Sequence, residues 1–385
     1  MDKIISVNIN NRIDNLDFIR GIAILGILIM NSVVFALPES ALWNHSSAGT
    51  ENFLDWILVF FSVIFIDGKM MGLFSALFAV GLVLFVESAN RKGYRRPVLL
   101  SLWRNLLLFS FGMIHILFMY VYVDILWAYA VLSPVILFLR NKRISLLLGI
   151  FFATIFISIF TGFFFQSIFD SNGNLISEME DIFTDKKGLG SYWFSNSEVL
   201  GDAIGTYFVL MYFFRIFSLM LLGLILYKLN VIQGSLSKKT YKKIIYICLP
   251  VGLSITLVTP VWLNIENYDP EIAVIAYLPI FIGTYPLVIG YVSLLSLIYS
   301  KISRKISSYL KDCGRMAFTN YITQSLFGML VFYYLFEDIE FTRKEIIIFV
   351  LVVWIIQIIW SKLWLKNFNQ GPLEWFWRKL TYIKR

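Results

Sequence analysis

Along the chain, apolar runs of about twenty residues alternate with short polar stretches, and as helices such runs are long enough to cross a hydrocarbon core of roughly 30 Å. The runs lie near 17–37, 68–89, 98–120, 123–140, 144–168, 202–227, 244–264, 272–299, 315–336 and 344–365. They predict an all-α, polytopic integral membrane protein of about ten transmembrane helices, a single bundle over 1–385 with a leader over 1–16 and a tail over 366–385. A shorter run, Phe53 to Ile66, ends at Asp67-Gly68-Lys69 and predicts a re-entrant or interfacial helix. After the last run Gly371-Pro372 stops the helix, and Trp375, Trp377, Arg378 and Lys379 predict an interfacial segment folded back under the bundle, with Glu374 paired to a basic residue.

Polar residues inside these runs carry the chemistry. In the first run Arg20 and Asn31 are separated by eleven positions, so on a helix they lie about 20° apart and roughly 16 Å along the axis, with Asp17 within about 60° of Arg20. Such a stripe faces protein or a water-filled cavity, although Asp17 and Arg20 alone also fit an interfacial ion pair. Arg215 stands near the middle of its run, too deep to extend its side chain to water, and needs an anion, a carbonyl or a cavity. Arg315, Thr319 and Thr323 repeat every four residues, with Asn320 and Gln324 one step round, so one face of that helix is polar for three turns and points inward. Gly283-Thr284-Tyr285-Pro286 places a kink inside the eighth run.

Composition agrees with the pattern: 58% of residues are apolar and 15% charged, with a mean hydropathy of +0.75, too little polar surface for a soluble globule. The net charge of +8 comes from Lys and Arg gathered at the N-terminus, around 91–104, 140–143, 228–243 and 301–315, and beyond Lys362. By the positive-inside rule these segments and both termini are cytoplasmic. Only Lys69, Lys186, Lys187, Arg343 and Lys344 fall on the other side, so the charge reflects topology and anionic lipid, and no nucleic-acid partner is indicated. The two cysteines, Cys248 in an apolar run and Cys313 in a basic loop, predict neither a disulfide framework nor a metal site.

The outer loops over 39–52, 169–201 and 264–271 are the expected places for acceptor contacts. The first of them holds His45, one of two histidines; the other, His115, ends the third run, with Asp124 just after the chain reverses. An imidazole has the right ordinary pKa for proton transfer near neutrality, and Asp124 is placed to orient His115.

Leu16-Asp17-Phe18-Ile19-Arg20-Gly21, Gly68-Lys69-Met70, Gly112 to His115 with Asp124-Ile125-Leu126, Gly314-Arg315-Met316-Ala317-Phe318-Thr319-Asn320-Tyr321, and Gly371-Pro372-Leu373-Glu374-Trp375-Phe376-Trp377 occur in this order. Together they resemble the YeiB (DUF418) family of bacterial membrane proteins, over nearly the whole chain. The resemblance implies membership of the transmembrane acyltransferase superfamily, whose bundles are thought to pass an acyl group from cytoplasmic acyl-coenzyme A to an acceptor beyond the membrane. In the acyltransferase-3 enzymes the Asp-x-x-Arg-Gly opening is followed by a histidine where this chain has Asn31, which cannot take a proton. The base would then be His115 or His45, with Asn31 donating to the thioester oxygen. Arg20 and Arg315, with Arg12, Arg91, Lys92, Arg95 and Arg96, would meet the coenzyme's phosphates, and Asp17, Lys69, Arg215, Thr319, Asn320 and Gln324 would line the seam.

The resemblance thus points to a multi-pass protein of the bacterial cytoplasmic membrane that acylates a hydroxyl or amine of a small-molecule or glycan-like acceptor. Its co-substrate would be acyl-coenzyme A, membrane lipid would be a partner, and no metal is called for. Two other readings use the same residues: a small-molecule transporter or exporter with Arg215 as an anion site, and a non-catalytic immunity or sensor protein.

Overall fold

Buried polar groups fix how the helices stack. A computed structural model of the chain describes residues 13–38, 40–119, 124–166 and 203–382. The regular structure in these residues is helical throughout. The helices are α1 (Asp14–Ala36), α2 (Ser40–Trp43), α3 (Phe53–Phe65), α4 (Lys69–Arg91), α5 (Pro97–Met119), α6 (Ile125–Leu139) and α7 (Ile144–Phe165). After the acidic loop over 169–201, which lies outside the described residues, come α8 (Ala203–Lys228), α9 (Lys238–Ile265), α10 (Leu278–Tyr299), α11 (Arg304–Arg315), α12 (Ala317–Met329), α13 (Arg343–Asn367) and α14 (Pro372–Thr381).

Eight of these helical stretches are long and apolar enough to cross a membrane: α1, α3 running into α4, α5, α7, α8, α9, α10 and α13. The run over 123–140 forms α6, only fifteen residues or about 22 Å long. The run over 315–336 divides at Met316: its first residue closes the amphipathic α11, and the remainder is α12 followed by a π-helical turn, Leu330–Leu335. Helix α10 continues through Pro286 as a single helical element. Cys313 is buried in α11 and not in a loop, and burial pushes its thiol up to about 12.

The bundle has a hydrophobic inside and a hydrophobic outside, as a lipid-embedded protein must. Helices α1 and α8 are the innermost, whereas α7, α9 and α13 turn most of their length outward. Phe138, Phe152, Phe156, Ile265, Ile348 and Ile355 are all more than half exposed on this outer face. Helix α1 packs against α4, α10, α11, α12 and α13. Its approach to α11 requires two glycines: a Cβ at Gly21 would stand 2.0 Å from Leu310 O, and one at Gly314 2.0 Å from Asp17 O. Both belong to the motifs that carried the family resemblance.

The two ends of the bundle differ in charge. At one end Asp14 of α1 accepts from Lys311 (2.7 Å), Asn15 Nδ2 donates to Ile232 O, Arg315 donates to Asn369 O and the rings of Tyr94 and Tyr382 meet. This gathers the basic segments around 91–96, 228–243 and 301–315 with the tail, and we call it the basic end. At the far end Arg343 donates to Ala41 O, Lys344 N to Asp55 and Asn44 to Tyr268 O.

Candidate functional site

A cavity of about 390 Å³ opens at the basic end. Its wall along α4 runs from Lys92, just beyond the helix, through Phe85 and Leu82 to Leu77 and Phe74, a separation of eighteen positions, or about 27 Å of helix. Five cations line it: Arg20, Lys92, Arg104, Arg315 and Arg378. Lys92 and Arg378 are exposed. Arg20 is paired with Asp17 at 2.9 Å and Arg315 with Asp312 at 3.1 Å, while the Arg104 guanidinium lies over the Trp377 ring at 3.9 Å. Beyond the cations the lining turns apolar, with Phe74, Leu77, Phe78, Leu108 and Leu126, and reaches Tyr321.

Tyr321 leads to the buried acid–base group. Its hydroxyl donates to Asp124 Oδ1 at 2.8 Å, and the same oxygen caps α6 by accepting from Leu126 N at 3.1 Å. His115 Nδ1 lies 3.2 Å from Asp124 Oδ2 but out of line for a hydrogen bond, and neither ring nitrogen has a hydrogen-bond partner among the described residues. His115 is 3% exposed and Asp124 fully buried. The sequence therefore brings His115 and Asp124 together as expected, but at a different height. Their shared neighbour Tyr321 sits one turn before Gln324, which donates to Ile24 O at the midpoint of α1, so the group stands mid-bundle and not at the outer end.

Thr319, Asn320 and Gln324 face inward as their spacing predicts, and protein groups meet all their side-chain polar atoms but Gln324 Oε1, which is buried without a partner among the described residues. Asn320 donates to Cys313 O and Ser361 Oγ and accepts from Trp360 Nε1, and Gln324 also donates to Gln357 Oε1. Interhelical bonds of this kind contribute about 0.6 kcal/mol each in membranes. Thr319 meets the tail: Glu374 of α14 accepts from Phe318 N at 2.8 Å, Thr319 N at 3.1 Å and Thr319 Oγ1 at 2.5 Å. Glu374 thus finds the positive end of α12 where a basic side chain was expected. Burial outweighs those three bonds and raises its carboxyl above the ordinary range. The tail does fold back, as expected, and completes the cavity wall. Asn31 is half-buried and hydrogen-bonds to none of these groups.

The far end holds the remaining candidates. His45 Nε2 meets Tyr277 Oη at 2.6 Å, and burial, helped by Arg343, lowers the imidazole to about 3. Lys69 is fully buried at the α3–α4 break and donates to Val63 O at 2.6 Å. Arg215 is 4% exposed, stacks on Phe281 at 3.7 Å and reaches Thr284 Oγ1 only at 3.5 Å. Gly68 makes room for it: the residue has φ +75°, and a Cβ would stand 2.2 Å from Arg215 Nη2. Asp67, held by Ser62 at 2.7 Å, lies within electrostatic range of Lys69, Arg215 and Arg343.

Sequence reasoning gave no site role to Tyr321, Arg104, Asp67 or Tyr277. Tyr321 had a signal, since it is three residues before Gln324 on the polar face of α12. The two histidines, paired as alternatives in the sequence, occupy separate centres with different neighbours.

Comparison with known proteins gives consistent matches. A family model described as "Protein of unknown function (DUF418)" covers residues 226–384. The chain is 29% identical over 380 residues to the uncharacterized protein YeiB of Escherichia coli (strain K12), across 95% of each chain. It is 31% identical over 402 residues to the uncharacterized protein YxaH of Bacillus subtilis (strain 168), across 97% of this chain and 95% of that one. An uncharacterized 39.9 kDa protein in the amylase 3' region of Bacillus acidopullulyticus is 28% identical over 386 residues, across 98% of this chain and 96% of its own. No solved structure matches.

Proposed function

The chain belongs to the YeiB (DUF418) family, and from the shape and charge of its cavity we propose that it is a membrane-bound acyltransferase of the transmembrane acyltransferase superfamily. It sits in the bacterial cytoplasmic membrane with both termini and the basic end in the cytoplasm. There it takes an acyl group from acyl-coenzyme A and transfers it to a hydroxyl or amine of a small-molecule or glycan-like acceptor.

One observation carries the reading: a single cavity grades from five cations to an apolar interior and stops at Tyr321, which is bonded to Asp124 beside His115. The donor has the same polarity. Its phosphates suit Arg20, Lys92, Arg104, Arg315 and Arg378, and its slender acyl arm suits the wall from Phe85 to Phe74. His115 then has the role of base. Its unpartnered nitrogens leave it able to take the proton from the acceptor as the acceptor's oxygen or nitrogen bonds to the thioester carbon, and the departing thiolate receives that proton. Asp124 orients the ring. His45 does not suit this task, because a pKa of about 3 makes it a weak base at neutral pH.

The test is transfer of labelled acetyl from acetyl-coenzyme A in membranes, with expression of each variant confirmed. His115→Ala is expected to lower transfer on the order of a hundredfold or more, whereas His45→Ala keeps most of it. Full activity in His115→Ala would overturn the assignment. A parent inactive against a panel of hydroxyl and amine acceptors, yet able to pass organic anions in proteoliposomes, would favour the transporter reading.

A further inference from the structure

The acid–base group is built by three helices. Helix α5 brings His115 and α6 brings Asp124, and the two approach closely where α6 begins: a Cβ at Gly112, one turn before His115, would stand 2.7 Å from Trp127 N. Helix α12 brings Tyr321, 197 residues further along the chain than Asp124. The Tyr321 hydroxyl donates to Asp124 Oδ1 at 2.8 Å, and its ring packs on the imidazole with centroids 5.2 Å apart and planes tilted by 53°. All three residues are more than nine-tenths buried. Of the three, Tyr321 alone lines the basic cavity.

The two oxygens of Asp124 are used unequally. Oδ1 accepts twice, from the Tyr321 hydroxyl and from Leu126 N at 3.1 Å. Oδ2 is thereby turned towards His115 Nδ1, at 3.2 Å. The bond from Leu126 N alone is an ordinary helix cap, and it leaves the carboxylate free to swivel about a broad terminal torsion. A second donor, from a different helix, fixes the plane. A carboxylate only accepts, so a ring nitrogen that bonds to it must carry the hydrogen. A neutral imidazole has one such hydrogen, and Nε2 then keeps a bare lone pair. Nδ1 and Oδ2 stand out of line, and hydrogen bonds of this catalytic kind tighten as substrate binds.

We propose that Tyr321 is the positioning residue for His115: by holding Oδ1 it presents Oδ2 to the ring, selects the Nδ1–H tautomer and makes Nε2 the basic nitrogen. In acyl transfer the acceptor's proton moves to Nε2 as the acceptor's oxygen or nitrogen bonds to the thioester carbon. It then leaves Nε2 for the departing thiolate, while the hydrogens on Nδ1 and on Tyr321 stay in place. The catalytic consequence rests on the reading of His115 as base; the tautomer itself does not.

The experiment uses the full chain in neutral detergent, isotope-labelled at its histidine nitrogens and read by nitrogen NMR at a pH where the rings are neutral. The chain has two histidines, so His45→Gln assigns the spectrum. The parent is expected to show His115 as Nδ1–H. Tyr321→Phe keeps the ring and loses the hydroxyl, and the ratio of Nδ1–H to Nε2–H is expected to fall about tenfold, the worth of one hydrogen bond to a charged group; a packing role alone would leave the ratio unchanged. In Asp124→Asn the same two donors hold an amide oxygen, which turns the amide nitrogen to His115 and inverts the ring to Nε2–H. That variant carries the reading if Tyr321→Phe does not fold. In a parent that transfers acetyl, Tyr321→Phe is expected to lower kcat about tenfold and to leave KM for acetyl-coenzyme A within about twofold. A parent ring in the Nε2–H form, an unchanged ratio in Tyr321→Phe or an uninverted ring in Asp124→Asn would overturn the proposal even where transfer is intact. The expected tautomers in a parent without transfer would count against acyl transfer and support the placement of His115 by Tyr321.

Discussion

The two ends of this bundle both collect cations, and they do so under opposite physical rules. Around the basic cavity four of the five positive groups are exposed, like Lys92 and Arg378, or ion-paired, like Arg20 with Asp17 and Arg315 with Asp312, and the fifth, Arg104, is stacked on Trp377. At the far end Lys69, Arg215 and Arg343 are buried and poorly paired. Exposed charge costs little and can be there for topology alone, so it says little about a ligand. Buried charge must be compensated. The smaller cluster is therefore the more informative of the two, although the larger one has the visible cavity.

The largest break in this comparison should come from removing a carboxylate at the far end. Asp67→Asn removes a buried carboxylate that accepts from Ser62 at 2.7 Å and is expected to destabilise the protein by about 2 kcal/mol, measured by denaturation in detergent. An unchanged midpoint would mean that the fold does not depend on this carboxylate.

Acid supplies a second probe of the same region. His45 is lowered to about 3 from an ordinary 6.5, so between these values the unfolded chain binds a proton that the folded chain does not. The resulting stability is fully present above about pH 6.5 and declines as the pH falls towards 3, by at most about 1.4 kcal/mol per pH unit. The thermal midpoint should follow that course, and His45→Gln should flatten it.

The smallest effect belongs to the basic end. Lys92→Ala and Arg378→Ala should change stability by no more than about 0.5 kcal/mol, while weakening the binding of coenzyme A and reducing its salt dependence. Loss of folded protein in either variant would mean that these cations, too, are structural.

What could be read from the sequence divides along a similar line. Apolar runs report helices directly, so α1, α4, α5 and α8 to α10 were legible, and the Asp67-Gly68-Lys69 break was visible because a polar triplet interrupts an apolar stretch. The division at Met316 was not, since the apolar residues after it continue the run although the backbone leaves helical geometry at Met316. His115 and Asp124 could be paired because only eight residues of chain separate them. The group formed by Asp67, Arg215 and Arg343 could not, because it joins helices distant in the chain whose proximity no local periodicity encodes. The same reason hid the α14 tail's partner: Glu374 meets backbone N–H groups, which every helix start possesses and no sequence advertises.

The position of α1 has a consequence for how the protein is made. This helix enters the membrane ahead of its neighbours, yet its side chains and carbonyls are claimed by residues that come much later. Asn15 binds Ile232 O and Ser296 Oγ, sequence separations of 217 and 281; Ile24 O receives Gln324 and Leu25 O receives Trp354, separations of 300 and 329. During synthesis, then, α1 waits in lipid or beside the insertion machinery with its amide and its glycine-lined groove unmatched, while more than two hundred residues follow. Such non-local closure makes assembly slow relative to helix formation. A chain stalled after α8 would hold an inserted first helix packed on α4 but still lacking α10 to α13, a form that quality-control proteases can distinguish from the finished bundle.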